Sequence, residues 1–343
     1  MGITAIYFCS AYNDVAYILG DIFKRKPRKA LVIVSSKIKL YDFLNDLQIK
    51  NTEVQYFDSK LNSFKRLKAY YNEILNLKEI KGNITNYRNV DVYFLPLYFD
   101  LITLYCVYHL SYCNNIHQIR IPGDLTGEKL KAPKIKTFLA SLIYRIPLCS
   151  YRVIDKDAIG FCEDFIKANV EPVKAINQNE KDYVYSAYSI KLNFPRNFIL
   201  YLSSGDDFGI IGNEALFDDI TLKILKVLKE IFGDNIALKG HPKYGISTIL
   251  QDKGINLIPN NIPIEFINLK NCICVLGLSS FAMSNFCNSG LNVLSTLELY
   301  EVADQEFREY KKLDLNMAIN SEEKQIFYPN TLLSLRKFLI DLI

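Results

Sequence analysis

The chain has 343 residues, too many for one ordinary core and suited to two domains of about 150–200 residues each. Half of them are hydrophobic and 23% are charged, which excludes a disordered chain, and a net charge of +4 gives no case for nucleic acid as a partner. No apolar run reaches the roughly 20 residues that span a bilayer, because the longest, Val90 to Leu110, is broken by Asp91, Pro96, Asp100 and His109.

In chain order the pattern alternates. Thr4–Cys9 predicts a strand that begins almost at the amino terminus, so no secretory leader is expected and the protein reads as cytoplasmic. Helix Asp14–Phe23, strand Ala30–Val34, helix Tyr41–Gln48, strand Glu53–Phe57, helix Asn62–Leu77, strand Val90–Leu95, helix Tyr98–Leu110 and strand Gln118–Ile121 follow. Ala158–Asn169 reads as a further helix. Strands separated by helix-length segments predict a parallel sheet covered on both faces.

Near Asn193-Phe-Pro195-Arg-Asn197 a proline breaks the chain before a new apolar strand. The pattern then restarts with strand Phe198–Ser203, amphipathic helix Phe217–Phe232, strand Ile236–Lys239, helix Ile246–Asp252 and strand Asn256–Ile258. Helix Ile264–Leu269, strand Cys272–Leu276, helix Phe281–Asn288, strand Asn292–Ser295 and a closing helix Thr331–Ile343 complete it. The expected organisation is α/β, with Rossmann-like domains over 1–194 and 195–343 and the last helix packing back on the first domain. Two such domains facing across a central cleft form the architecture called GT-B.

The eight cysteines, at 9, 106, 113, 149, 162, 272, 274 and 287, are scattered through apolar runs. With three histidines they make no zinc pattern and read as reduced thiols of a reducing compartment.

Polar residues cluster where strands of the second half end. Ala237-Leu-Lys-Gly-His241-Pro242-Lys243 closes one strand, and Cys274-Val-Leu-Gly-Leu-Ser279-Ser280-Phe281 closes another. In an open parallel sheet ligands bind at strand carboxyl ends. A histidine, two hydroxyls and a helix amino end suit a phosphate there. Between them, Pro259-Asn-Asn-Ile-Pro263-Ile-Glu265-Phe266 offers Glu265 either to nucleotide hydroxyls or as a helix cap. Ser203-Ser204-Gly205-Asp206-Asp207, after the first strand of this half, is polar enough to contact the nucleotide or the donor sugar.

This order, strand–His-Pro, Pro-Ile-Glu-Phe, strand–Ser-Ser, resembles the GT-B sialyltransferases and polysialyltransferases of bacteria. The opening Ile6-Tyr-Phe-Cys-Ser10-Ala-Tyr-Asn13 is similar to that family's first strand and loop. The resemblance implies that His241, Pro242, Lys243, Ser279 and Ser280 hold the CMP part of CMP-sialic acid. It also implies that an acidic residue of the first domain is the general base. The family's acidic-acidic-Gly motif is altered here to Pro122-Gly123-Asp124-Leu125-Thr126-Gly127-Glu128. Asp124 is the expected base, with Ser10, Asn13, Gly123, Thr126 and Glu128 near the acceptor.

The chemistry implied is inverting transfer. The acceptor hydroxyl attacks the anomeric carbon, Asp124 takes its proton, and the bond to the CMP phosphate breaks with His241 stabilising or protonating the leaving group. A monophosphate leaving group calls for no metal, so no cofactor is expected. Val153-Ile-Asp155-Lys-Asp157 has the Asp-x-Asp form of a metal–nucleotide site but reads as turn carboxylates.

The expected partners are a CMP-activated sugar donor and a lipooligosaccharide or capsule glycan. A peripheral membrane contact through basic residues such as Lys24-Arg-Lys-Pro-Arg-Lys29 and a homodimer complete the set. Three alternatives stay open: a CDP-glycerol or CDP-ribitol polymer transferase, a UDP-sugar 2-epimerase, and a non-catalytic glycan-binding subunit.

Overall fold

The computed structural model describes residues 2–35, 37–59, 67–95, 101–120, 134–153, 156–161, 166–172, 178–187, 197–204, 213–241, 244–251, 253–260, 262–280, 282–300, 305–317, 319 and 325–343. The chain divides into two compact units, Met1–Ser189 and Ile190–Ile343, so the first ends slightly before residue 194.

The first unit contains β1 (Ala5–Cys9), α1 (Tyr12–Arg25), β2 (Ala30–Ser35), α2 (Ile38–Asp46), β3 (Thr52–Phe57), α3 (Leu67–Ile84), β4 (Asp91–Phe94), α4 (Leu101–Leu110) and β5 (Asn115–Arg120). α5 (Lys134–Tyr144), β6 (Leu148–Val153), β7 (Lys156–Phe161), β8 (Asn169–Pro172) and α6 (Gln178–Ala187) follow. β1 and β2 are buried at every residue, as a strand covered on both faces must be. The six-stranded sheet runs β3-β2-β1-β4-β5-β8, with every pairing parallel.

The second unit repeats the scheme with β9 (Phe198–Leu202), α7 (Glu214–Phe232), β10 (Ile236–Lys239), β11 (Asn256–Ile258), β12 (Cys272–Gly277), α8 (Ala282–Asn288), β13 (Asn292–Ser295), α9 (Gln305–Met317), β14 (Ile326–Phe327) and α10 (Leu332–Asp341). Its sheet is β11-β10-β9-β12-β13-β14, again parallel throughout. Both sheets therefore have the Rossmann order, in which the strand sequence reverses beside the first strand.

α7 shows how the sequence specifies its element. The Asn213 side chain accepts the Leu216 N–H at 3.1 Å at its start, and Gly233 with φ 57° ends it. Phe217, Ile224, Leu225 and Leu228 lie buried on one face. α10 packs against α7, placing Leu335 and Leu339 in the core of the second unit.

Three expected helices are not formed. Ile246–Asp252 yields only a 3-10 turn at Thr248–Leu250, since β-branched Ile-Ser-Thr-Ile is a poor helix start. Ile264–Leu269 yields a turn at Ile264–Phe266, beyond which Ile267 is extended and the Asn268 side chain accepts the Lys270 N–H at 3.1 Å. Ala158–Asn169 opens instead in β7, which pairs antiparallel with β6 and brings Val153 opposite Lys156. Lys156 and Asp157 of the Asp-x-Asp segment thus open β7, and Asp155 lies outside the described residues.

Candidate functional site

In the first unit the amino end of the first helix is already occupied. The backbone N–H groups of Ser10 and Ala11 both donate to Asp14 Oδ2 at 2.7 Å, and Asp14 is buried. The Ser10 hydroxyl bonds Thr103 at 2.9 Å, Thr103 bonds Ser35 at 3.0 Å, and the Lys37 ammonium donates to the Ser10 carbonyl. Ser10, expected near the acceptor, is thereby held in the fold through its hydroxyl, its N–H and its carbonyl. A carboxylate thus already takes the two N–H groups just ahead of this helix. Asp14→Ala strands two buried donors and is expected to cost about 2 kcal/mol, read as a shift of the first unit's transition in urea denaturation. An unshifted transition would mean that water replaces the carboxylate at no cost.

The second unit is built differently at the equivalent place. The strand order reverses between β9 and β12, and the chain leaves these strands through Ser203-Ser204 and Leu278-Ser279-Ser280. Ser204 and Ser279 are half-buried and Ser280 is exposed. The Ser279 turn is anchored from behind by Ser295, whose hydroxyl donates to the Leu278 carbonyl at 2.6 Å, and by the Thr296 N–H, which reaches the Gly277 carbonyl at 2.8 Å. The helix after it, α8, has seven residues, so the hydroxyls rather than a long helix dipole are its polar offering.

His241 stands at the end of the neighbouring strand β10. Its backbone and that of Gly245 exchange two hydrogen bonds, each 2.7 Å, which close a tight loop. Gly245 adopts φ 77° to do so. The Tyr244 N–H donates to His241 Nδ1 at 3.3 Å, and the Tyr244 ring stacks on the imidazole with centroids 4.8 Å apart. An Nδ1 that accepts places the proton of the neutral ring on Nε2. In this tautomer the imidazole's donor is Nε2.

Behind His241 lies Lys239, a lysine 4% exposed in a strand whose other residues, Ile236, Ala237 and Leu238, are apolar and buried. Its ammonium donates to the carbonyls of Gly240 and Asn260, both at 3.1 Å. Burial holds its pKa down to about 8, opposed by the charge of Glu265. Between that value and the roughly 10.4 of an exposed lysine, the unfolded chain binds more protons than the folded one. Stability attributable to this group therefore rises with pH. Between pH 8 and 9.5 the gain is expected to be about 1.5 kcal/mol, measured by denaturant titration. It should vanish in Lys239→Met, and an equal rise in the variant would place the effect elsewhere.

Lys239, Asn260 and Ser295 are residues of this candidate site that no motif singles out. The Ser203 hydroxyl accepts the Ser247 N–H at 3.2 Å, which ties the loop after His241 to β9. The one signal for Lys239 in the sequence is a charge that closes an otherwise apolar strand. Glu265, half-buried on its 3-10 turn, is drawn into the electrostatics of Lys239 rather than capping a helix. Asp124, Gly123, Thr126, Glu128, Pro242, Lys243 and Gly205 lie outside the described residues, and Asn13 is placed through its backbone, within α1. Among the described residues Cys113 is exposed and Cys9, Cys106, Cys272, Cys274 and Cys287 are buried. Burial pushes the Cys272 thiol up to about 12.

No protein-family model matches the chain, and no curated protein matches it. Solved structures do. The chain is similar to UDP-N-acetylglucosamine 2-epimerase from Rickettsia bellii, with TM-score 0.50, 8% identity, and coverage of 100% of this chain and 88% of that one. It is also similar to UDP-GlcNAc 2-epimerase from Methanocaldococcus jannaschii, with TM-score 0.51, 10% identity, and coverage of 99% and 91%. The wall teichoic acid polymerase TagF also matches, with TM-score 0.42, 15% identity and coverage of 98% and 78%. At these identities the likeness concerns the fold. The protein has a GT-B fold of two parallel-sheet α/β units, the class that includes glycosyltransferases and nucleotide-sugar epimerases. No helix among the described residues is long and apolar enough to cross a membrane.

Proposed function

We propose that this protein is a glycosyltransferase whose second unit binds the nucleotide of an activated sugar. The carrying observation is the His241 loop at the end of β10, in which the Tyr244 N–H on Nδ1 leaves the proton of the neutral ring on Nε2. Ser279 and Ser280 close the neighbouring reversal point. These groups supply donors to a phosphate that gains charge as it leaves.

Within this reading the donor is a CMP-activated sialic or related nonulosonic acid and the acceptor a bacterial surface glycan. The acceptor oxygen forms a bond to the anomeric carbon, its proton passes to Asp124, and the bond to the phosphate breaks with inversion. CMP departs with its charge neutralised by His241 and the serine hydroxyls, and no metal takes part. The His-Pro and Ser-Ser order supports a cytidine donor.

A second reading, UDP-sugar 2-epimerase, is favoured by the overall likeness to the two epimerases. The test is a donor screen in EDTA with CMP-sialic acid, CDP-glycerol and UDP-N-acetylglucosamine, each with and without galactosides. CMP release that persists in EDTA supports the transferase. Equilibration of UDP-N-acetylglucosamine with its 2-epimer, without CMP release, overturns it in favour of the epimerase. Glycerol transfer points to the CDP-alditol class.

Peripheral attachment to an anionic membrane belongs to the same reading and is supported by the exposed Lys24, Lys26 and Arg28 at the end of α1. Salt-insensitive absence from anionic vesicles in co-sedimentation would refute it.

A further inference from the structure

We propose that Lys239 is the positioning residue of the phosphate site: its buried ammonium joins the backbone at Gly240 to the backbone at Asn260 and so fixes the root of the loop that presents His241. The identity of what His241 contacts rests on the function proposed above, whereas the positioning itself does not.

Three observations support it. The ammonium has a carbonyl of each segment at 3.1 Å, so a single charged group crosslinks the ends of β10 and β11. Gly240 is the residue immediately before His241, so a shift of its carbonyl moves the histidine backbone with it. The two segments are also in contact: a Cβ on Gly240 would fall 2.3 Å from Asn260 Oδ1. An apolar side chain would fill the same space without the cost of burying a charge. A lysine that keeps its charge at that cost is explained by the carbonyls it orders and by Glu265, the carboxylate that acts on it. Burial has lowered its pKa to about 8, so the ammonium form still dominates at neutral pH.

The test uses the whole chain and its histidine resonances. There are three histidines, His109, His117 and His241, which makes assignment by single substitution direct. His109 is held neutral by burial and by Lys81, which lower its pKa to about 4, and it serves with His117 as an internal reference in the other unit. In Lys239→Met the His241 resonance and its titration are expected to move while those of His109 and His117 stay. CMP binding by calorimetry should weaken by about tenfold or more, the scale of losing a charged hydrogen-bond donor. Lys239→Gln keeps amide donors without the charge and should fall between the two, and it supplies the same readout should the methionine variant fail to fold.

An unmoved His241 resonance with unchanged CMP affinity overturns the proposal. So does a variant in which the resonances of all three histidines collapse together in both substitutions, since that marks a purely structural lysine. Wild-type protein that binds no CMP, CDP or UDP would sink the functional reading, and the His241 resonance would still decide the positioning.

Discussion

Replacing His241 with alanine is expected to lower nucleotide release by about 10²–10³-fold while both units remain folded. The side chain does two separable things. Nδ1 accepts the Tyr244 N–H at 3.3 Å and holds the ring against the tyrosine. In the proposed function Nε2 is the donor toward the leaving phosphate. Alanine removes both functions. Asparagine places a carbonyl oxygen near Nδ1 and nothing near Nε2, so His241→Asn should preserve the loop and lose turnover as alanine does. Glutamine places an amide near Nε2 and should retain part of the nucleotide affinity without supplying a proton. The measurement is single-turnover release of free nucleotide, paired with calorimetric affinity for all three variants. Alanine within threefold of wild type would remove His241 from the chemistry. Asparagine and glutamine behaving alike would show that the two ring nitrogens do not divide the work as described.

The strand–helix alternation was legible because parallel strands covered on both faces carry continuous apolar runs. Ala5–Cys9 and Phe198–Leu202 are buried at every position, and both were readable from composition alone. The common sheet order was not readable, since the order of strands is set by packing across the sheet. Helix length failed where connections are short. Ile246–Asp252 and Ile264–Leu269 have helical spacing, yet the chain there is held by the His241–Gly245 exchange and by the Asn268 side chain. The hairpin of β6 and β7 was misread because Asp155-Lys156-Asp157 has the composition of a helix start and of a turn alike. At the candidate site, His241 and the two serines stand out in the sequence because their side chains suit a phosphate. Lys239, Asn260 and Ser295 do not, because they act through backbone carbonyls and packing that no motif records. Ser10 shows what a strand-end position leaves out of sight: its hydroxyl is bound to Thr103, 93 residues away in the chain.

Gly240→Ala is expected to cost at least about 2 kcal/mol and to remove nucleotide binding with it. A Cβ there would meet Asn260 Oδ1 at 2.3 Å, Ile246 Cγ1 at 2.7 Å and the Gly245 carbonyl carbon at 2.8 Å. The first two atoms belong to side chains that can turn aside. The third is backbone, pinned by the reciprocal bonds between His241 and Gly245, so relief requires the loop to open and the imidazole to leave its place. Gly245 provides the contrast within the same loop. Space is open around it, with Asn260 Nδ2 at 3.7 Å, but its φ of 77° disfavours a side chain. Gly245→Ala should therefore cost about 1 kcal/mol, and Gly245→Asn less, since asparagine tolerates that conformation. Denaturant titration and calorimetry on the three variants separate a steric from a conformational requirement. A Gly240→Ala protein as stable as wild type would show that the loop is not packed against Asn260 and Ile246. The same result would release His241 from the geometry on which its role depends.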